Sequence, residues 1–278
     1  MQYQPEIFIT WDMFMLSKSG KVVPLKIKRD DVVELGGLPI TTKGMTQSAQ
    51  NFATQALAAR EKVQLPYYST SANGQVIALA SKDNSFKKLL LEADEIHPDG
   101  MPMVHISQLL TNNPLSERVA TTDLVHAVAE QAEKHGLSFY FLGGTPEVNE
   151  WAVNFMCKKY TKLIFSGSSH GYFSEDEEPQ IVANIAKLKP DILWIGLGIP
   201  REQAFISKNL KKLNGVGVIK TSGGLFDFLS GKNKRAPIWM QKLGMEWIYR
   251  TFQEPRRLIL RYLITNPIAL KLLITESR

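Results

Sequence analysis

The chain has 278 residues, 44% of them apolar and 22% charged, with 19 Gly and 14 Pro. That is an ordinary globular composition, which excludes collagen-like, low-complexity and disordered classes and leaves room for one large α/β domain or two small ones. The net charge of +6 is unevenly spread: residues 231–278 carry 10 Lys and Arg against 3 Asp and Glu, so the first 230 residues are close to neutral and the basic excess lies in the last sixth.

The single cysteine, Cys157, excludes a disulfide within the chain and points to a reducing compartment. The opening residues lack the basic and apolar pattern of a secretory leader, and no uninterrupted apolar run reaches bilayer length. The expectation is a cytoplasmic protein with no spanning segment.

In chain order, residues 1–32 read as an irregular extension with no assignable role. An Ala- and Gln-rich stretch over 42–62 predicts a helix, YYSTSANG a strand running into a polar loop, and residues 75–81 a helix. SFKKLLLEADEI predicts another helix, leading to the tight segment His97-Pro98-Asp99-Gly100. From residue 137 a pattern repeats four times: a strand, glycines, then a helix. The strands are LSFYFLGG, KLIFSG, DILWIGLG and GVGVIK, and helices follow at Pro146, near 178–188, at PREQAFISKNLKKL and after Ser222-Gly223-Gly224. This order predicts a Rossmann-like parallel sheet flanked by crossover helices. Ligands of such sheets sit beyond the carboxyl ends of the strands. Gly143, Gly144, Gly196, Gly198, Gly223 and Gly224 fall there, where backbone can approach a phosphate and helix N-termini offer free N–H groups. The structural alternative is that these glycines only make tight turns.

Beyond residue 231 the prediction is a basic, amphipathic helical appendage: a helix over 237–252, one over 255–264, and a short apolar helix from Pro267. Arg250, Arg256, Arg257 and Arg261 alternate with Trp, Tyr, Phe and Leu residues, a composition suited to an anionic bilayer surface. The alternating aliphatic bulk favours lipid over nucleic acid as the anionic partner, and no nucleic-acid partner is expected.

Several chemistries fail on their own signatures. Gly196-Leu197-Gly198 begins a dinucleotide fingerprint, but Arg201 stands at the third glycine position. The chain has no Walker A loop, no H-E-x-x-H, no paired C-x-x-C and no D-x-D, so no metal site and no cofactor are expected. Gly167-Ser168-Ser169-His170-Gly171 matches a hydrolase nucleophile elbow, yet an acidic loop follows in place of a helix and only His170 lies downstream. Asp99, between Pro98 and Gly100 and flanked by apolar segments, is the carboxylate best placed for general-base work, with turn former as its structural alternative. Asp191 and Asp227 read as structural.

Six segments carry a family resemblance: HPDGMPMV, SERVATTDL, FLGGTPEVNEWA, HGYF, PDILWIGLGIPREQAFI, and the block from Gly223 to Leu263. In this order and spacing, residues from about Val33 to Tyr262 resemble the WecG/TagA/CpsF family of bacterial glycosyltransferases, glycosyltransferase family 26. The resemblance implies a core over 33–230 and a membrane-docking appendage over 231–278. The implied activity is inverting, metal-independent transfer of a hexose of the N-acetylmannosamine type from a UDP-sugar. The acceptor would be a polyprenyl-diphosphate-linked saccharide in cell-envelope or exopolysaccharide synthesis, at the inner face of the cytoplasmic membrane. The appendage is also compatible with a homo-oligomer.

Residue by residue, the resemblance makes Asp99 the base and places Asn73, with Ser71 where the family usually has threonine, on the ligand-binding loop. It gives Arg118 the role of neutralising the leaving diphosphate. The glycines would line the nucleotide pocket, and the C-terminal arginines would dock on the membrane and close the site. The family's P-[KR]-Q-E segment here reads Pro200-Arg201-Glu202-Gln203, so Glu replaces the substrate-contacting amide and donor-sugar choice is the property most affected. Rival classes are a nicotinamide oxidoreductase built on Gly196 and Gly198, and a non-catalytic membrane adaptor.

Overall fold

The computed structural model describes residues 31–61 and 64–278, so residues 1–30 of the extension expected over 1–32, and Lys62, where the first helix was expected to end, lie outside the described residues, while Val32 belongs to the first strand. A hairpin opens it: β1 (Val32–Leu35) and β2 (Leu38–Thr41) pair antiparallel around Gly36-Gly37, whose φ values of 57° and 73° are those of a two-residue hairpin turn.

Six strands then form a parallel sheet: β3 (Tyr67–Ala72), β4 (Glu95–Pro98), β5 (Ser138–Gly143), β6 (Ile164–Ser169), β7 (Ile192–Gly196) and β8 (Val218–Thr221). Their spatial order is β4-β3-β8-β7-β5-β6. Central strands such as FYFLG and ILWIG read as unbroken apolar runs because they are covered on both faces. Phe139, Phe141, Ile192 and Trp194 point into a core shared with α1 (Met45–Glu61), α5 (Thr121–His135), α6 (Pro146–Lys159) and α9 (Leu225–Leu229). Tyr140, Leu142, Leu193 and Ile195 point the other way, against α7 (Glu178–Leu188) and α8 (Arg201–Asn209). The α/β class and the parallel sheet are as expected from the repeated strand–glycine–helix pattern.

A third core cluster lies beyond the β4 edge and joins the hairpin, α2 (Gly74–Lys82), α3 (Asn84–Leu90), α4 (Met101–Leu110) and Leu273 of the last helix. The helix expected over 85–96 ends at Leu90, and Glu95–Pro98 forms β4 instead. All four residues of β4 are buried, and β3 offers a parallel ladder from Ser69↔Glu95 to Ala72↔Pro98 that outweighs the local helical pattern.

The expected helix over 237–252 is two helices, α10 (Ile238–Lys242) and α11 (Glu246–Gln253). Gly244 at φ 73° separates them, and a Cβ there would stand 3.2 Å from Pro102. Conversely, Pro267 does not start a new helix. It lies inside one 21-residue helix, α12 (Pro255–Thr275).

Interior proline removes a backbone bond and costs about 3 kcal/mol, so tertiary packing must hold α12 together. Leu258, Thr265, Ala269 and Leu273 are buried, and Gly37 N–H donates to Glu276 O at 3.0 Å. Glu34 and Arg278 exchange backbone hydrogen bonds of 3.2 and 3.0 Å. By length and composition α12 is apolar enough to cross a bilayer, which corrects the expectation drawn from uninterrupted apolar runs. In this fold it lies along α2 and is clipped to the hairpin.

Candidate active site

The carboxyl ends of β3, β4 and β8 open into a cavity of about 690 Å³, roofed by α11 and α12. The N-termini of α2, α4 and α5 converge on it through Gly74, Met101 and Thr121. Helix N-termini present unpaired N–H groups and a partial positive charge, so the cavity floor suits an anion.

Asp99 follows directly on β4, its N–H bonded to Ala72 O at 2.8 Å, and its half-buried carboxyl faces the cavity. Burial raises its affinity for a proton, and Glu246 adds to this, while the charges of Lys220, Arg118 and Arg250 oppose it. A carboxylate above its ordinary range but among three cations is suited to taking up a proton at neutral pH. Asn73 caps α2, its Oδ1 accepting from Val76 N–H at 3.2 Å, and it lines the cavity. Ser71 lines the floor beside Thr121, with 3.2 Å between the hydroxyl oxygens.

Arg118 joins core to roof: its guanidinium donates to Glu246 at 2.8 Å and Gln241 at 2.7 Å while lining the cavity. Arg250, Arg257 and Arg261 line the roof as well. Arg250 stacks 5.3 Å from the Phe228 ring, Arg257 pairs with Glu254 at 2.6 and 2.8 Å, and Arg261 lies against Tyr262. Arg256, one position round the helix, is exposed and away from the cavity.

The glycines divide. Gly198, Gly223 and Gly224 border the cavity, and Gly198 and Gly223 adopt φ values of 80° and 51° with open space where a side chain would lie. Gly143, Gly144 and Gly196, expected to line a nucleotide pocket, are not at the cavity wall. A Cβ on Gly143 would collide with the Gly196 carbonyl, and one on Gly196 would stand 2.8 Å from Gly223 O, so close strand–loop packing accounts for these two.

The Arg201-Glu202-Gln203 run also separates, because consecutive helical residues point about 100° apart. Only Glu202 reaches the cavity. Arg201 donates to Gly171 O at 2.9 Å and Phe173 O at 3.2 Å and stacks on the Phe173 ring, securing the His170–Phe173 loop. Gln203 is buried, with its amide 3.5 Å from Glu202. Glu202 is 2% exposed and accepts from Gly223 N–H at 3.1 Å, and burial pushes its carboxyl up to about 7 against that bond and the Lys220 charge.

Sequence reasoning missed two residues. Arg235 binds Asp123 at 2.9 and 3.1 Å, Glu246 at 3.2 Å and Gln241 at 2.8 Å, so with Arg118 it ties α10 and α11 to the start of α5. Lys220 is fully buried on central strand β8, beneath Ser71. A lysine breaking the apolar run of a central parallel strand was the signal available for it.

The sequence model of the Glycosyl transferase WecG/TagA/CpsF family matches residues 33–278. Among curated proteins, the chain is similar to an N-acetylglucosaminyldiphosphoundecaprenol N-acetyl-beta-D-mannosaminyltransferase of Bacillus subtilis (strain 168), with 32% identity over 188 residues, covering 68% of this chain and 72% of the relative. Proteins of the same name from Bacillus spizizenii, 30% identical over 190 residues (68% and 72%), and Staphylococcus aureus (strain MW2), 28% identical over 191 residues (69% and 74%), are also similar.

Proposed function

The chain belongs to the WecG/TagA/CpsF glycosyl transferase family, and from that premise we propose that it transfers a hexose of the N-acetylmannosamine type from a UDP-sugar to a polyprenyl-diphosphate-linked saccharide. The transfer is inverting and needs no metal. The observation that carries this is the cavity itself: Asp99, a half-buried carboxylate, stands directly at a strand end among converging helix N-termini and four lining arginines, while Glu246 and Asp227 of the same lining are paired with Arg118 and Lys232.

Asp99 takes the proton of the acceptor hydroxyl, whose oxygen attacks the anomeric carbon from the face opposite the UDP leaving group. One displacement inverts the centre. Negative charge then grows on the departing diphosphate, and Arg118, Arg250, the helix N-termini and the Asn73 amide are placed to stabilise it. This cationic set is what allows the step to run without a divalent ion.

The acceptor's lipid implies work at a membrane. Ile238, Trp239, Leu243, Phe252, Leu260 and Leu263 are 58–80% exposed on the appendage, beside the exposed Arg256 and Arg257. Apolar side chains flanked by arginines fit an anionic bilayer surface, so residues 231–278 act as the docking unit at the inner face of the cytoplasmic membrane while 33–230 carry the nucleotide-binding core. The protein thereby serves cell-envelope polymer synthesis. Incubation with labelled UDP-N-acetylmannosamine and N-acetylglucosaminyl-diphospho-lipid, with and without EDTA, tests the proposal. Label moving into the lipid fraction equally in both samples supports it; no transfer from any UDP-hexose overturns it.

A further inference from the structure

The sheet buries a lysine. Lys220 is 0% exposed and stands in register between Ser69 of β3 and Trp194 of β7. Its ammonium donates to Ser71 Oγ at 2.7 Å and to Thr221 O at 3.0 Å. A fully buried ammonium costs desolvation and is retained where opposite charge matches it, here that of Asp99, Glu202 and Glu95.

Four ionisable groups face Lys220: Glu95 and His97 on β4, Asp99 beyond it, and Glu202 on α8. His97 is held neutral, drawn down to about 4 by its own burial, and its Nδ1 is bonded to Ser69 Oγ at 3.0 Å. Glu95 is already engaged by Lys43 at 3.1 Å and Thr41 at 3.1 Å. Glu202 is held by the Gly223 N–H. Asp99 has no such fixed partner on the sheet, and around it stand Lys220, Arg118, Glu246 and Arg250.

We propose that Lys220 is a positioning residue of the transfer site: its buried ammonium lies beneath the cavity floor that Ser71 and Asp99 share, where it sets positive charge against the Asp99 carboxyl and its hydrogen bond fixes the Ser71 hydroxyl. This rests on Asp99 acting as the base. With one lone pair taken by Lys220, Ser71 presents its O–H as a donor, either to Thr121 Oγ1 or to a ligand in the cavity. Burial draws the ammonium down to about 8 while Asp99, Glu202 and Glu95 hold it up, so it stays cationic at neutral pH. Two groups on the cavity floor are thus set by one side chain beneath it.

The test compares wild type, Lys220→Met and Asp99→Asn, using UDP-N-acetylmannosamine and N-acetylglucosaminyl-diphospho-lipid as probes. Lys220→Met loses stability, because Glu202 and the Thr221 carbonyl stay buried without the ammonium, and where it folds the acidic limb of its kcat/KM profile moves up by about one pH unit, as loss of a nearby opposite charge requires. Reciprocally, in Asp99→Asn labelled with 13Cε-lysine, the Lys220 resonance titrates at lower pH than in wild type by a similar amount; this second arm decides the matter if Lys220→Met does not fold. Wild-type transfer by Asp99→Asn would remove the base assignment and this proposal with it. Lost transfer in Asp99→Asn combined with an unmoved limb in Lys220→Met, or with an unmoved Lys220 titration, overturns the role of Lys220 alone.

Discussion

Replacing Glu202 by glutamine should change how stability depends on pH more than it changes stability itself. The Glu202 carboxyl sits at about 7 in the folded protein against an ordinary 4.5, chiefly because burial penalises its charge. A group raised on folding contributes stability that is fully present below 4.5 and is lost as pH climbs through 7, since the unfolded chain ionises first. Between pH 5 and pH 8 this one residue should lower the unfolding free energy of wild type by about 2 to 3 kcal/mol.

Glutamine occupies nearly the same volume and keeps an oxygen for the Gly223 N–H, but it does not titrate. Chemical denaturation of both proteins at pH 5 and pH 8 therefore gives a wild-type-minus-variant difference that shifts by that amount, with Glu202→Gln gaining at the higher pH. Any constant cost of the amide, about 1 kcal/mol for an ill-matched buried donor, cancels in the comparison. Parallel stability profiles for the two proteins would refute the assignment of Glu202 as an acid whose burial outweighs its hydrogen bonds and the Lys220 charge.

Arg118→Ala should lower transfer about a hundredfold and weaken UDP binding, measured by kcat/KM and calorimetry; fold stability should change little because Glu246 keeps Arg235 at 3.2 Å. Leu273→Ala, at a site 2% exposed in the cluster shared with α2 and the hairpin, should cost about 3 kcal/mol, read as a lower denaturation midpoint and as reduced transfer when the cavity roof loosens. Arg256→Glu combined with Arg257→Glu should weaken binding to vesicles containing phosphatidylglycerol by tenfold or more, at about 1 kcal/mol per basic residue near the surface. The difference should shrink in high salt, and co-sedimentation reads both effects.

The sheet was legible because β5 to β8 and their glycines repeat one unit whose chemistry is local. β4 was not: EIHP follows a helical run without a break in composition, and only its ladder with β3 makes it a strand. The continuity of α12 through Pro267 was equally hidden, since the packing on α2 and the backbone bonds to Glu34 and Gly37 that sustain it come from the far end of the chain. At the site, Asp99, Asn73, Ser71 and Arg118 could be named from sequence because short motifs surround them. Glycines at strand ends could not be sorted into those lining the cavity and those packing strand on loop, because both kinds have the same local sequence. Lys220 lies in none of the resembling segments, Arg235 lies in the Gly223–Leu263 block with nothing local to single it out, and Ser71, Asp123 and Glu246, which they bind, lie on other elements.

The central claim is that Asp99 removes the acceptor proton in a transfer from a UDP-sugar. The most direct measurement pairs two readouts on Asp99→Asn: affinity for UDP by calorimetry, and transfer from UDP-N-acetylmannosamine to N-acetylglucosaminyl-diphospho-lipid on anionic vesicles. The account predicts UDP affinity within a few-fold of wild type, with transfer reduced by about 10² to 10⁴, the range expected for losing a general base. Transfer at the wild-type rate with Asn at position 99 would contradict it.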